Sequence, residues 1–197
     1  MRKLIMKMSM TVDGFVGGPN GENDWVFRSS DESSRTWSVA QSREAGLIIM
    51  GRKSFEMMAP YWPTANGPFA GPMNEIPKAV FTQSGFKRVD LAPTTTEAQA
   101  LAAASWASAR IIDGDLTDGI QKLKEEPGKP ILAIGGAGFM RNLIATGLID
   151  EYNMVTHPII LGKGQTIFND IEKPLDLKLT EVKSFPGGIV VRTYHPA

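Results

Sequence analysis

Residues 129–141, K-P-I-L-A-I-G-G-A-G-F-M-R, constrain the fold more than any other part of this chain. The apolar run 131–134 lies between Pro130 and Gly135, a pattern typical of a buried, central strand in a parallel sheet. Glycines then remove side chains where the strand should end and a helix should begin. Because bare backbone and a helix N-terminus together attract anions, the segment predicts a phosphate or pyrophosphate site.

The glycine spacing leaves a second interpretation open. Gly-Gly-x-Gly is not the Gly-x-Gly-x-x-Gly fingerprint of dinucleotide-binding proteins, and the Lys-Ser/Thr pair of a P-loop is missing. A tight turn that binds no ligand explains the same residues equally well. The segment therefore needs support from elsewhere in the chain.

A second junction of this kind follows the apolar run 47–50, where Gly51 precedes Arg52 and Lys53. Two cations at the start of a helix oppose its dipole, so helix stability does not explain them. A bound anion explains them, and a solvated pair of cations is the alternative.

A third apolar run, 79–82, ends in a polar stretch. Polar side chains at the carboxyl end of a parallel strand lie where α/β proteins bind their ligands. The stretch consists of Thr82, Gln83 and Ser84. We therefore expect it at the same edge of one sheet as the two glycine junctions.

Predicted strands alternate with predicted helices along most of the chain, and the last third contains strands only. This order is typical of an α/β domain with a mixed sheet, and we expect one domain over residues 1–197. Residues 175–184 and 189–194 alternate in polarity and predict a closing antiparallel hairpin. Residues 61–77 predict an irregular excursion, and the charges at 122–126 predict a solvated helix face.

Composition narrows the function classes. The 197 residues include 21 Lys+Arg and 21 Asp+Glu, so the chain lacks the basic field of a nucleic-acid or membrane-surface protein. There is no cysteine, and the two histidines lie far apart in the sequence, so we expect no metal site. The first residues lack a long apolar run, and no run is long enough for a membrane span, so we expect a cytoplasmic protein.

Three motifs, in this order, resemble a known family. M-G-R-K-S-F-E at 50–56 is similar to a segment of dihydrofolate reductases. H-P-I-I-L-G-K-G at 157–164 resembles the reductase domain at the C-terminus of the bifunctional riboflavin-biosynthesis enzyme. The ending F-P-G-G-I-V at 185–190 resembles stand-alone proteins of the dihydrofolate reductase family. The resemblance extends over nearly the whole chain, except about residues 86–105.

The resemblance implies a dihydrofolate-reductase-like fold of three layers. Its central sheet is mixed and mostly parallel, has helices on both faces and ends in an antiparallel hairpin. The resemblance also implies NADPH as hydride donor and a homodimer joined through the C-terminal strands. Two phosphate-binding places favour NADPH over NADH, because the 2′-phosphate needs its own cation.

The resemblance assigns the cofactor to particular residues. The nicotinamide is expected near Ser9, Val16 and Gly17. The pyrophosphate is expected on the turn and helix start formed by Ile134, Gly135, Gly136, Ala137, Gly138, Phe139 and Met140. The 2′-phosphate is expected at Arg52 and at the polar end of the third strand, Thr82, Gln83 and chiefly Ser84. Gly51, Lys53 and Ser54 are expected to line the pyrophosphate and the ribose.

The catalytic residues of the family correspond less directly to positions in this sequence than its cofactor-binding residues do. Asp31 and Thr156 correspond to a carboxylate and a threonine that dihydrofolate reductases place at the pterin pocket. Asp31 suits a helix cap equally well, and Thr156 suits an ordinary strand. Asp13 and Trp25 are candidate substrate contacts, with a turn and the hydrophobic core as their alternatives.

These observations predict an NADPH-dependent reductase of a small heterocyclic, pterin- or pyrimidine-like substrate. The alternative enzyme is the riboflavin-pathway 5-amino-6-(5-phosphoribosylamino)uracil reductase. The alternative from another class is a non-catalytic NADP(H)-binding sensor or scaffold, because a fold does not fix a function.

Overall fold

The computed structural model describes residues 1–83, 85–86, 89–169 and 171–197. The strands are β1 Leu4–Thr11, β2 Leu47–Gly51, β3 Lys78–Thr82, β4 Arg110–Asp113, β5 Ile131–Ala133, β6 Glu151–His157, β7 Leu177–Ser184 and β8 Val190–Pro196. The helices are α1 Glu32–Arg43, α2 Arg52–Met58, α3 Ala70–Glu75, α4 Glu97–Ala107, α5 Leu116–Glu125 and α6 Ala137–Ala145. The strands form one eight-stranded sheet in the order β4-β3-β2-β5-β1-β6-β8-β7.

Strand β5 occupies the middle of the sheet, as the 129–141 segment predicts. All of its residues are buried, and it pairs in parallel with β1 on one side and β2 on the other. Ile131 is the residue that both neighbours share, since it pairs with Leu4 and with Leu47. The prediction of a central, buried, parallel strand is confirmed.

The sheet is parallel from β4 through to β6 and antiparallel beyond it. β6 pairs with β8 in antiparallel fashion, and β8 pairs likewise with β7. The predicted mixed sheet with a C-terminal antiparallel hairpin is therefore confirmed. Its hairpin departs from regularity only at a register shift between Leu179 and Glu181.

Helices cover both faces of the sheet because successive strand residues point to opposite sides. On one face Met6 packs in a cluster with Met140 of α6. On the other face Met50 packs in a cluster with Phe55 of α2 and Trp106 of α4. Across the described ranges, none of these helices is both long enough and apolar enough to cross a bilayer.

The prediction of an irregular excursion over 61–77 is wrong in part. This segment contains a 3-10 helix, Trp62–Thr64, and α3. Pro72 lies in the first turn of α3, where the missing N–H of proline costs no hydrogen bond. Asn74 then accepts a bond from the buried indole of Trp106 at 2.8 Å, so tertiary packing holds a helix that the composition conceals.

The solvated face predicted for 122–126 is wrong for Lys124, which is only 6% exposed. Its ammonium donates to both carboxylate oxygens of Asp150, at 2.9 and 2.7 Å, and to the carbonyl of Leu148 at 2.8 Å. Asp150 also accepts the backbone N–H of Leu4 at 2.7 Å. The ion pair thus connects α5 to the start of the central strand β1.

Candidate active site

The predicted cofactor residues lie along one edge of the sheet. The strands β3, β2, β5 and β1 are adjacent and parallel, so their carboxyl ends meet at that edge. The residues found there are Thr82 and Gln83 at the end of β3, Gly51, Arg52, Lys53 and Ser54 at the end of β2, Ile134, Gly135 and Gly136 after β5, and Ser9 within β1. Ser84 lies outside the described residues.

A turn of bare backbone joins β5 to α6. Gly135 has a φ of +140°, a conformation that favours glycine, and the Gly135–Gly136 peptide bond is cis. Gly136 is the N-cap of α6, and Met140 N–H donates the first intrahelical bond to its carbonyl at 2.9 Å. The N–H groups of residues 137–139 precede that bond, so the helix has no acceptor for them. Such an N-terminus can bind an anion. Of the residues predicted to hold the pyrophosphate, Met140 has its side chain buried in the core.

The two glycine junctions pack directly against each other. The N–H of Gly51 donates to the carbonyl of Gly135 at 3.1 Å. A Cβ on Gly51 would lie 2.8 Å from the Cβ of Phe139, and a Cβ on Gly136 would lie 2.7 Å from the hydroxyl of Ser54. The glycines are therefore required by packing, whether or not an anion binds.

Arg52 and Lys53 stand beside this turn. The Arg52 guanidinium pairs with Glu56 one turn along α2 at 2.8 Å, and each side chain is 34% exposed. Glu56 engages one nitrogen of the guanidinium, which carries five N–H groups in all, so donors remain for a second anion. Lys53 is exposed. Thr82, the last residue of β3, donates its hydroxyl to the carbonyl of Gly85 at 2.8 Å.

The loop after β1 is tied to the segment that follows β6. Val16, which is buried, donates its N–H to the carbonyl of Gln165 at 2.8 Å. Gln165 returns a bond of the same length to the carbonyl of Gly17. These bonds hold Val16 and Gly17 near the carboxyl end of β1, where the nicotinamide is predicted.

Asp13 closes the same loop. Its carboxylate accepts the hydroxyl of Thr11 at 2.6 Å and the backbone N–H groups of Gly162 at 2.7 Å and Leu161 at 3.2 Å. Three hydrogen bonds hold the pKa of Asp13 below its ordinary value: the bond from Thr11 has the largest effect, and those from Gly162 and Leu161 have smaller ones. The carboxylate thus serves the turn, and its contact with a substrate stays a prediction.

A cavity of about 140 Å³ opens on the face of the sheet that α1 covers. Lys7 and Ser9 reach it from β1, and Val155 and His157 reach it from β6, because alternate strand residues share a face. Its other walls are aromatic, aliphatic or serine side chains, apart from Arg35 of α1. The described residues that line it include no carboxylate.

Lys7 supplies the positive charge inside this cavity. Its ammonium donates to the carbonyl of Ser38 at 3.1 Å and to the hydroxyl of the same residue, and it lies 5.3 Å from the centroid of the Trp37 ring. Burial lowers the pKa of Lys7 to about 8. Lys7 is therefore mainly cationic at pH 7 and can attract an electron-rich atom of a ligand.

His157 lines the same cavity and is only 2% exposed. Its Nδ1 is 3.0 Å from the hydroxyl of Ser29, its Nε2 is 3.2 Å from the hydroxyl of Ser9, and its ring meets the edge of Trp25 at 5.3 Å. Burial lowers the pKa of His157 to about 4, so the imidazole is neutral near pH 7. Trp25 itself is buried behind this ring, and its role as a substrate contact stays a prediction.

Asp31 and Thr156 are not brought together. Asp31 caps α1: it accepts the hydroxyl of Ser33 at 2.6 Å, the N–H of Ser34 at 2.8 Å and the N–H of Gly187 at 2.6 Å. These bonds lower the pKa of Asp31 to about 2, so it holds no proton to donate near pH 7. Thr156 alternates with the cavity-lining residues of β6 and faces the other side of the sheet. The catalytic role of the pair stays a prediction.

The reasoning from sequence missed Lys7 and His157. Both interrupt runs of apolar residues, Lys7 within β1 and His157 at the end of β6. A charged or titratable residue within a buried strand is costly unless it is partnered, and that cost is the signal that could have identified them. Their convergence on one cavity depends on strand pairing, which no local pattern reveals.

A larger cavity of about 420 Å³ lies between α2 and α4. Phe55 and Trp106 are among its walls, and its described lining contains no titratable side chain. Proton transfer and charge stabilisation need such groups, so we place the chemistry in the smaller cavity.

Solved structures share this architecture. Dihydrofolate reductase from Enterococcus faecalis, complexed with NADP(H), superposes with a TM-score of 0.60 at 12% identity, over 98% of this chain and 96% of that one. The diaminohydroxyphosphoribosylaminopyrimidine deaminase/5-amino-6-(5-phosphoribosylamino)uracil reductase of Thermotoga maritima gives a TM-score of 0.71 at 15% identity. That match covers 100% of this chain and 57% of the Thermotoga chain. The protein therefore has the dihydrofolate-reductase-like fold.

Sequence comparison gives the family. The model of the RibD C-terminal domain matches residues 2–191, and the chain belongs to that family. An uncharacterized protein of Bacillus subtilis, YyaP, is 30% identical over 194 residues, which cover 98% of this chain and 95% of that protein. The predicted resemblance to a stand-alone form of this reductase domain is confirmed.

The close contact between β2 and α6 can be tested by mutation. Gly51→Ala places a Cβ 2.8 Å from that of Phe139, so α6 must move, and we expect the free energy of unfolding to fall by about 1–3 kcal/mol. Denaturant titration measures this. Gly138→Ala is the control, because nothing lies within 4 Å of its added Cβ, and its stability should be unchanged or slightly raised. Equal losses in both variants would contradict the packing argument.

Proposed function

We propose that this protein is an NADPH-dependent reductase that acts on a small heterocycle bound in the Lys7 cavity. One observation carries the proposal: the glycine turn before α6 and the cavity meet on adjacent strands. Met6 of β1 pairs with Ala133, the last residue of β5, so Lys7 and Ser9, further along β1, lie at the level of the Gly135 turn. A dinucleotide on the turn would thus extend toward the cavity.

The residues present fit this cofactor. The free amides of residues 137–139 can hold a pyrophosphate, and Gly138, where nothing lies within 4 Å of an added Cβ, leaves the start of α6 open to it. Arg52 can hold a 2′-phosphate with the donors that Glu56 does not engage. Bound in this way, NADPH supplies a hydride. The complex of Enterococcus faecalis dihydrofolate reductase with NADP(H) supports the same use of the fold.

The cavity favours one kind of acceptor. Its volume of about 140 Å³ is close to that of a cavity that holds one benzene ring, so it suits a single ring. The Lys7 ammonium suits a carbonyl or ring atom that gains negative charge during reduction. A protonated pterin would need a carboxylate in the cavity, and the described lining contains none. We therefore favour a pyrimidine-like substrate over a folate.

The riboflavin-pathway reductase is the second candidate. Its substrate, 5-amino-6-(5-phosphoribosylamino)uracil, carries carbonyl oxygens on its pyrimidine ring that a lysine could polarise. Membership in the RibD C-terminal domain family supports this reading, as does the likeness to the Thermotoga maritima enzyme. This second candidate narrows the first proposal to one substrate.

Binding and turnover test the proposal together. We expect calorimetry to detect NADPH binding, and NADPH fluorescence to fall with time when an amino-pyrimidinedione is added. Lys7→Met keeps the length of the side chain and removes its charge, so kcat/KM should fall about tenfold or more with NADPH affinity unchanged. No heat of NADPH binding would refute the reductase. Binding without consumption across dihydrofolate and pyrimidine substrates would favour the sensor.

Arg52 tests the preference for the 2′-phosphate. Arg52→Ala removes a charge-assisted hydrogen bond worth about 1.5–3 kcal/mol, so NADPH should bind about 10- to 100-fold more weakly. NADH, which lacks that phosphate, should be nearly unaffected. Calorimetry with both nucleotides measures the difference, and Lys122→Ala, an exposed change on α5, serves as the control. Equal losses for the two nucleotides would mean that Arg52 does not contact the 2′-phosphate.

We also propose a homodimer formed through the C-terminal hairpin. Every residue of β7 is exposed, and β7 is an edge strand of the sheet. Its exposed residues include Leu177, Leu179 and Val182, and an exposed apolar edge strand is a surface that proteins usually cover. Light scattering should give the mass of two chains, and Leu179→Lys should shift it toward one. A wild-type mass of 21.4 kDa would contradict the dimer.

A further inference from the structure

His157 has a hydrogen-bonding arrangement that the proposed function does not use. Both ring nitrogens face serine hydroxyls: Ser29 at 3.0 Å on one side and Ser9 at 3.2 Å on the other. A hydroxyl can donate or accept, so either tautomer of the neutral ring satisfies both bonds. Ser9 lines the cavity, whereas Ser29 precedes α1 and is half-buried. The three groups therefore form a continuous hydrogen-bonded chain from the half-buried Ser29 to Ser9 in the cavity.

We propose that Ser29, His157 and Ser9 form the relay that delivers the proton of the reduction. This inference rests on the proposed function. A hydride adds two electrons and one hydrogen to the acceptor, and the second hydrogen must arrive as a proton. The described lining of the cavity offers no carboxylic acid to supply it.

The proposed transfer conserves protons and electrons. The acceptor's double bond breaks, one of its atoms takes the hydride, and the other takes the hydroxyl proton of Ser9. The oxygen of Ser9 regains a proton from Nε2 of His157, while Nδ1 takes the hydroxyl proton of Ser29. Ser29 is reprotonated by water, so one proton leaves the solvent for each hydride transferred. The imidazole ends as the other tautomer and returns when its N–H groups exchange with the solvent.

The surroundings favour a neutral relay. The charged groups that face this part of the cavity are Lys7 from β1 and Arg35 from α1, and both oppose a positive charge on the ring. On its remaining side the ring meets Trp25, which carries no charge. Burial lowers the pKa of His157 to about 4. A transfer by change of tautomer never forms the imidazolium, so this low pKa does not impede it.

Lys7 is less suited to supply the proton. Two of its N–H groups are held by the carbonyl and the hydroxyl of Ser38. Lys7 therefore acts by its charge, and the serine–histidine chain carries the proton. The two roles separate in experiment, since removing the charge and removing the relay affect different observables.

A matched pair of variants tests the relay. Ser29→Thr and Ser29→Val have the same shape, and only Thr keeps the hydroxyl. We expect Ser29→Val to lower kcat about tenfold or more relative to Ser29→Thr, with KM and NADPH affinity equal in the two variants. The solvent deuterium isotope effect on kcat should rise in Ser29→Val, because proton delivery becomes rate-limiting. Equal kcat and equal isotope effects in the two variants would overturn the relay.

A second measurement needs no cofactor and no substitution. ¹⁵N NMR of the unmodified protein should give a neutral His157 near pH 7 with both tautomers populated, and the chain's other histidine, His195, serves as the reference. A single fixed tautomer whose N–H exchanges more slowly than the enzyme turns over would overturn the relay alone. Absence of any NADPH turnover by the unmodified protein would instead overturn the proposed function, and the relay with it.

Discussion

The contact between the start of α6 and the end of β2 is the constraint on which the site depends. The backbones approach so closely that Gly51 meets the Cβ of Phe139, and Gly51 donates a hydrogen bond to Gly135. This approach fixes the direction of α6 over the sheet. It also sets the free amides of α6 beside the cation-bearing start of α2. The anion-binding geometry is therefore a product of core packing, and no separate element is needed to build it.

The cavity beside this edge has a distinct electrostatic character. It contains a cation, Lys7, and a neutral imidazole, His157, whereas the nearby carboxylate Asp31 is engaged in a helix cap and a turn. The described lining of the cavity therefore presents positive charge and no carboxylate. Ligand choice within one architecture can thus change through a few side chains on the sheet face, while the packing between β2 and α6 is kept.

The sequence predicts the sheet edge well and the cavity poorly, for a physical reason. The strand at 131–133, the glycine turn and the cations after β2 are local patterns, and each is visible within a few residues. Lys7 and His157 meet only because β1 and β6 pair in parallel. Asp31 bonds to Gly187, which is 156 positions away. Burial of Lys124 likewise depends on Asp150, which belongs to another part of the chain. Long-range pairing of this kind leaves no periodicity to read.

The late position of Phe185 and Ile189 in the chain has a consequence for the order in which the molecule is made. The edge that the cofactor would use is complete once residues 1–145 are present, since it comes from β1, β2, β3, β5 and α6. The cavity also needs Phe185 and Ile189, which the turn between β7 and β8 carries. During synthesis on the ribosome the two halves of the candidate site therefore emerge at different times, and the edge formed by residues 1–145 emerges first.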